Sequence, residues 1–172
     1  MKPFSRKPPR WQDPNSLYFL TFCTFNRQQL LHKNQIPEYL IEELRFYSKK
    51  LKDIIAFTIM PDHIHLLVEI KTVLSMSVFL RDFKKFTSHE IMRHGIEKHV
   101  WQRGTMDHCI RISLENKDFE NHLSYIFSNS WKHLGIKPKD FPYHNFREIV
   151  KKGWLKDVFC DFDAPKEFDR YE

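Results

Sequence analysis

The sequence predicts an α+β fold, a mostly antiparallel sheet with helices packed on one face. Three observations predict it. Runs of strand character and runs of helical apolar spacing follow one another as β-α-β-β-α-β-α over 172 residues. The two middle strand runs are separated only by Met60-Pro61-Asp62, a tight turn that makes them an antiparallel hairpin. In the second of these runs, residues 63–70, Ile64, Leu66, Val68 and Ile70 alternate with positions that begin His63, His65. Strand side chains alternate faces, so four aliphatic groups share one face and two imidazoles stand together on the other.

Each element has its own signal. Residues 1–16 carry Lys2, Arg6, Lys7 and Arg10 among Pro3, Pro8, Pro9 and Pro14, an extended basic arm rather than a helix. Residues 17–25, LYFLTFCTF, are aromatic and β-branched with little polarity, the pattern of a strand buried on both faces. Pro37 suits the first turn of a helix reaching Lys50, whose buried stripe is Leu40, Ile41, Leu44, Tyr47 and Leu51. Residues 53–60, DIIAFTIM, form a second continuous strand. Residues 75–94 return to helical spacing, with Met76, Phe79, Leu80, Phe83 and Phe86 as the stripe and Arg81, Lys84, Lys85 and Arg93 outside it.

Residues 105–113 alternate again and place Met106, His108, Ile110 and Ile112 on one side of a strand. The last strong helix spans 114–131. On a helical wheel Phe119, Leu123, Ile126, Phe127 and Ser130 make its core stripe, while Asp118, His122, Tyr125 and Asn129 fall on the adjoining polar flank. Pro138, Pro142 and scattered aromatics then predict an irregular segment over the core, followed by a C-terminal extension, 148–172, that is acidic from 156. No repeat, low-complexity tract or linker divides the chain. It reads as one domain, 1–172, of ferredoxin-like or RRM-like layout with the histidine pair on a central strand.

Composition excludes several classes. Only four glycines are present and neither GxxxxGK nor GxGxxG occurs, so no nucleotide cofactor is expected. The three cysteines are scattered and form no CxxC pair, which argues against a zinc knuckle or a disulfide framework. No apolar run approaches a membrane span and the first ten residues lack an apolar signal core, so a cytoplasmic protein without membrane contact is expected. The formal net charge is +6. Residues 156–172 hold six acids and three bases, a net of −3 that leaves +9 on the first 155 residues. A basic body suits a polyanionic partner, most simply nucleic acid. The tail interleaves Asp157, Asp161, Asp163, Glu167, Asp169 and Glu172 with aromatics, and so either lies across a DNA-binding face or is a solvated or core-docked extension.

A bare His-x-His is either the wet face of an amphipathic strand or part of a ligand set for a divalent metal. The pair alone does not choose. Tyr125 at the edge of the helix stripe is likewise either structural or reactive. Four blocks in order settle on a resemblance: YFLTFCTFNR, then IMPDHIHLLVE, then VWQRGTMDHCIR, then YIFSN followed by FPYHNF. Together, over residues 15–147, they resemble the REP-associated tyrosine transposases of the single-tyrosine HUH superfamily, in which the second block usually reads MPNHVHLL.

That resemblance implies roles. His63 and His65 correspond to the family's metal-binding pair, Tyr125 to its nucleophile and Asn129 to its third metal ligand. The implied activity is Mg²⁺- or Mn²⁺-dependent cleavage and rejoining of single-stranded or hairpin DNA, with REP-like palindromes as partner, through a covalent 5′-phosphotyrosine. The protein would act as a monomer or homodimer. Candidate phosphate contacts are Arg6, Lys7, Arg10, Arg81, Lys84, Lys85, Arg103 and Arg111. The chain departs from the family where Ser130 replaces a common Pro, Thr105-Met106 replaces an aromatic pair and Asp62 replaces Asn. Two other readings stay open: a non-catalytic nucleic-acid-binding module of the same fold, and a phosphodiesterase that uses water.

Overall fold

The computed structural model describes residues 16–96, 99–110 and 117–155. The basic arm up to residue 15, Arg111 and the acidic stretch 156–172 lie outside the described residues, as do the last three residues of the predicted fourth strand. Four strands, β1 (Leu17–Cys23), β2 (Lys52–Ile59), β3 (His63–Ile70) and β4 (Met106–Ile110), form one sheet in the order β2-β3-β1-β4. Every neighbouring pair is antiparallel. The helices are α1 (Ile36–Leu51), α2 (Val73–Arg93), α3 (Asp118–Leu134) and the short α4 (Phe146–Lys151). This is the predicted α+β, ferredoxin-like order, with β3 and β1 in the middle of the sheet. None of the described helices is long and apolar enough to cross a membrane.

The alternation read from the sequence sorts the strands into two cores. Ile64, Leu66, Val68 and Ile70 of β3 join Tyr18, Leu20 and Phe22 of β1 under α1 and α2. Leu40, Leu44, Tyr47 and Leu51 from α1 and Met76, Phe79 and Phe83 from α2 complete that layer. Pro37 sits in the first turn of α1, where its missing N–H has no intrahelical acceptor to lose. Phe86, assigned to the α2 stripe, is instead half exposed beside Lys85. Beyond Phe83 the buried stripe continues through Thr87 and Ile91, both fully buried, and Phe86 lies off it.

The expectation of helices on one face, with the opposite face open, needs correction. Leu17 and Phe19 of β1, Ile55 and Ala56 of β2, Leu67 of β3 and Ile110 of β4 form a second apolar surface on the histidine side. Leu123, Tyr125, Ile126 and Phe127 of α3 cover it, with Phe146 and Ile149 of α4. The reason was present in β1 and β2, whose continuous apolar runs supply side chains to both faces. A sheet apolar on both sides must be covered on both sides. Helix α3 begins at Asp118 and extends to Leu134, where Gly135 takes the left-handed conformation (φ 67°) that ends it.

The segment after α3 is a docked strap. Ile59 donates its N–H to the Tyr143 carbonyl at 2.9 Å, and His144 bridges to Thr58. A β-bulge falls between Ile54 and Ala56. Asn145 covers it, receiving the Phe57 N–H on Oδ1 at 3.0 Å and donating Nδ2 to the Ile55 carbonyl at 2.9 Å. One buried amide thus satisfies two outward-facing backbone groups of β2. Asn145→Ala should cost about 2–4 kcal/mol, because a buried donor and a buried acceptor lose their partners together. Urea denaturation checks this: the midpoint should fall with the slope unchanged.

Candidate active site

The histidine pair is built from β3 and its neighbours. The rings of His63 and His65 stand 4.6 Å apart, centroid to centroid. Each has its Nδ1 engaged from behind. Asp62 Oδ1 lies 2.6 Å from His63 Nδ1, and Thr21 Oγ1 lies 2.9 Å from His65 Nδ1. Thr21 reaches His65 because the two are direct partners across the β1–β3 ladder. Both Nε2 atoms are therefore turned into the interior. The second-sphere contact at Nδ1 is the device by which a ligating imidazole is oriented and made more basic.

Helix α3 brings the other two groups. Tyr125 and Asn129 are one turn apart and lie on the sheet side of the helix. The Tyr125 ring packs edge-on to His65 at 5.0 Å and to Phe19 at 5.8 Å. Asn129 donates Nδ2 to the Tyr125 carbonyl at 2.7 Å, which leaves its Oδ1 facing away from the helix backbone. The side chain of Asn129 is close enough to His65 to favour a proton there. Yet His63 Nε2, His65 Nε2 and Asn129 Oδ1 are all buried without a hydrogen bond. Buried polar atoms are normally paired, and three orphans of Lewis-basic character, two nitrogens and an oxygen, fit a divalent cation.

Burial corrects the picture of an open face. Exposure is 0% for Tyr125, 1% for His65 and Asn129, and 6% for His63. The polar flank of α3 is thus turned to the sheet along with the apolar stripe. Burial is also the main reason that His65 is held well below the ordinary histidine range, with the charges of His63 and Arg27 acting the same way. Asp62 is pushed up by burial, but the hydrogen bond and charge of His63 and the charge of Arg27 outweigh this and hold it below the usual range. Other tyrosines are placed differently. Tyr39 and Tyr47 are on α1, across the sheet, and burial raises both, Tyr39 to about 12 with help from Glu43.

The candidate phosphate contacts separate. Arg81 and Lys85 are on α2, on the far side of the sheet from the histidines, and Arg81 pairs with Asp82 at 2.7 Å. Lys84 donates to the carbonyls of Gln102 and Gly104, and burial lowers it to about 8. Arg103 lies on the histidine side. With Thr21, Cys23, Arg27 and Met106 it lines a cleft of about 750 Å³ beside the pair. Arg6, Lys7, Arg10 and Arg111 are outside the described residues. Thr21 was missed by sequence reasoning because strand register is not written in local pattern. A second grouping, His108 with Asp118 and His122, was also missed, although the i,i+4 spacing of Asp118 and His122 was a visible signal.

Comparison with known proteins bears on family and fold. The profile of the family described as "Transposase IS200 like" matches residues 14–129 and ends on Asn129. The sequence is 27% identical over 162 residues to the REP-associated tyrosine transposase of Escherichia coli, covering 90% of this chain and 93% of that protein. It is 30% identical over 151 residues to a Haemophilus influenzae protein described provisionally as a REP-associated tyrosine transposase, covering 78% and 82%. The fold is similar to a solved REP-associated tyrosine transposase bound to a REP hairpin, with a TM-score of 0.70 over 92% of each chain at 23% identity.

The buried histidines make stability depend on acid. Burial among Phe127, Phe141 and Phe146 lowers His144 to about 4. His65 and His144 both take a proton more readily in the unfolded chain, where histidine titrates near ~6.5. Stability should therefore begin to fall as pH drops below that value and keep falling until the folded value is passed, about 4 for His144. Thermal melts across that window check the slope. His144→Leu should flatten it, and an unchanged slope would show that this imidazole is not buried in its neutral form.

Proposed function

This chain belongs to the IS200-like transposase family, and we propose on that premise that it cleaves and rejoins single-stranded or hairpin DNA through Tyr125. The observation that carries the reading is the convergence of three unsatisfied buried ligand atoms beside that tyrosine. REP-like palindromes are the proposed substrate class, in line with the relatives that bear that description.

The Tyr125 oxygen attacks phosphorus and the bond to the 3′-oxygen breaks. The tyrosine proton ends on that leaving oxygen, so the products are a 5′-phosphotyrosine and a free 3′-hydroxyl. A second 3′-hydroxyl reverses the step, and because the phosphodiester energy is kept no nucleotide cofactor is required. His63, His65 and Asn129 would hold Mg²⁺ or Mn²⁺, which as a Lewis acid offsets charge developing on a non-bridging phosphate oxygen. Two imidazoles in the set favour Mn²⁺ tolerance over a strict Mg²⁺ requirement. Asp62 and Thr21 position the pair, and Arg27 and Arg103 at the adjoining cleft are placed to meet the strand's phosphates. Tyr125 is fully buried in this conformation. Admission of a strand therefore requires α3 to move relative to β3.

Incubation with labelled hairpin DNA and Mn²⁺, followed by denaturing electrophoresis and mass spectrometry, tests the nucleophile. The adduct should map to Tyr125 and vanish in Tyr125→Phe, whose stability should change by no more than about 1 kcal/mol because the ring is retained. An adduct on Tyr39 or Tyr143 would overturn the assignment. For the cation, the double variant His63→Ala, His65→Ala should lose cleavage by at least about a hundredfold. Wild-type cleavage by that variant would remove the metal from the reading.

A further inference from the structure

Across β1 from the histidine pair, a second set of ligating side chains meets. His108 on β4 is the direct ladder partner of Phe19, so it projects from the same sheet face as His65, with the Phe19 ring between the two groups. Asp118 and His122 descend from the first two turns of α3 to meet it. His108 Nε2 lies 3.3 Å from Asp118 Oδ2, and His122 Nδ1 lies 3.0 Å from Asp118 Oδ1. The two imidazoles are stacked, 12° from parallel with centroids 5.0 Å apart, and one ligand atom from each of the three residues falls within 4.8 Å of the others.

We propose that His108, Asp118 and His122 form a second metal site, for a transition-metal dication of the Zn²⁺ class. Two imidazoles and one carboxylate are a donor set such ions prefer, and the carboxylate supplies the negative charge that the first site lacks. On an ion with bonds of ~2.1 Å, adjacent ligand atoms stand about 3.0–3.5 Å apart. The two nitrogen–carboxylate separations are already in that range, one to each oxygen, and ligation by His122 Nδ1 would replace its contact with the Asp118 carbonyl. Asp118 and His122 have the i,i+4 spacing by which one helix face presents two ligands to one ion. His122 forms a buried floor, while Asp118 and His108 are partly open along the edge strand β4, which gives an ion a way in. The competing occupant of the same space is a proton shared between each imidazole and the carboxylate, with His122 Nδ1 also 2.7 Å from the Asp118 carbonyl. An ion here would tie the edge strand to the helix that carries Tyr125 and Asn129, without touching either. Its role would be to anchor the first turns of α3 to β4, as a pivot for the rest of the helix.

Metal binding to the full-length chain, stripped with chelator, tests this independently of DNA cleavage. Calorimetric titration with Zn²⁺ should give two ions per chain, and Co²⁺ should give a visible spectrum with nitrogen ligation. The double variant His63→Ala, His65→Ala should retain one ion. His108→Ala and Asp118→Asn should each lose that ion or bind it at least tenfold more weakly, while circular dichroism shows the fold kept. His108 is partly exposed on an edge strand, so its variant guards against simple misfolding of the Asp118 variant. Zn²⁺ should also raise the melting temperature of the His63, His65 double variant and not that of the same protein carrying His108→Ala. One ion in the wild type, lost with His63 and His65, overturns the proposal, and so does unchanged binding by Asp118→Asn. Either result means a hydrogen-bonded triad only, and leaves the reading of the first site untouched.

Discussion

The molecule depends on one constraint: its central strands are apolar on both faces, so the sheet must be covered twice. Helices α1 and α2 cover the aliphatic face, and α3 the face that carries the imidazoles. That second covering takes His63, His65, Tyr125 and Asn129 out of water together. Polar groups so buried must be satisfied, at a cost of about 1–3 kcal/mol for each that is not. The fold satisfies half of each imidazole, through Asp62 and Thr21, and leaves the other half and the Asn129 oxygen unsatisfied. Three such atoms in one spot are a considerable fraction of the stability of a domain this size. That cost is what the proposed cation would offset.

How far the sequence could be read follows from the same constraint. The period-two pattern of residues 63–70 was enough to place the imidazoles on one face and four aliphatics on the other, because alternation is a local property. The covering helix was not legible in that way. Asp118, His122, Tyr125 and Asn129 look like a wet flank on a helical wheel, since the wheel cannot tell a flank facing water from one facing a polar patch of sheet. The clue lay elsewhere, in β1 and β2, whose unbroken apolarity required two covered faces. Family resemblance named Tyr125 and Asn129, and the structure brings them against His65. Thr21 depended on register, a long-range property with no local sign. The strap that closes β2 was visible only as irregular chain.

Lys84 and Phe86 illustrate the converse error. Lys84 looked like a surface base, yet its ammonium lies over the Phe22 ring and donates to two loop carbonyls. Burial draws it down to about 8, and those two hydrogen bonds tie its ammonium to the loop that carries Arg103. Phe86 looked like core and is half exposed. Helical spacing identifies a face only to within a residue, and on α2 the buried positions past Phe83 are Thr87 and Ile91.

The strap after α3 has an effect beyond patching a bulge. By taking the outward N–H groups of Phe57 and Ile59 and the carbonyl of Ile55, residues 143–145 occupy the hydrogen-bonding edge of β2. An unoccupied edge is a template on which a second chain can add a strand. Here that template is already filled from within the same molecule. Two copies cannot extend their sheets through β2, so fibrillar stacking along that edge is blocked, and any pairing of protomers must be made with side chains or through another surface.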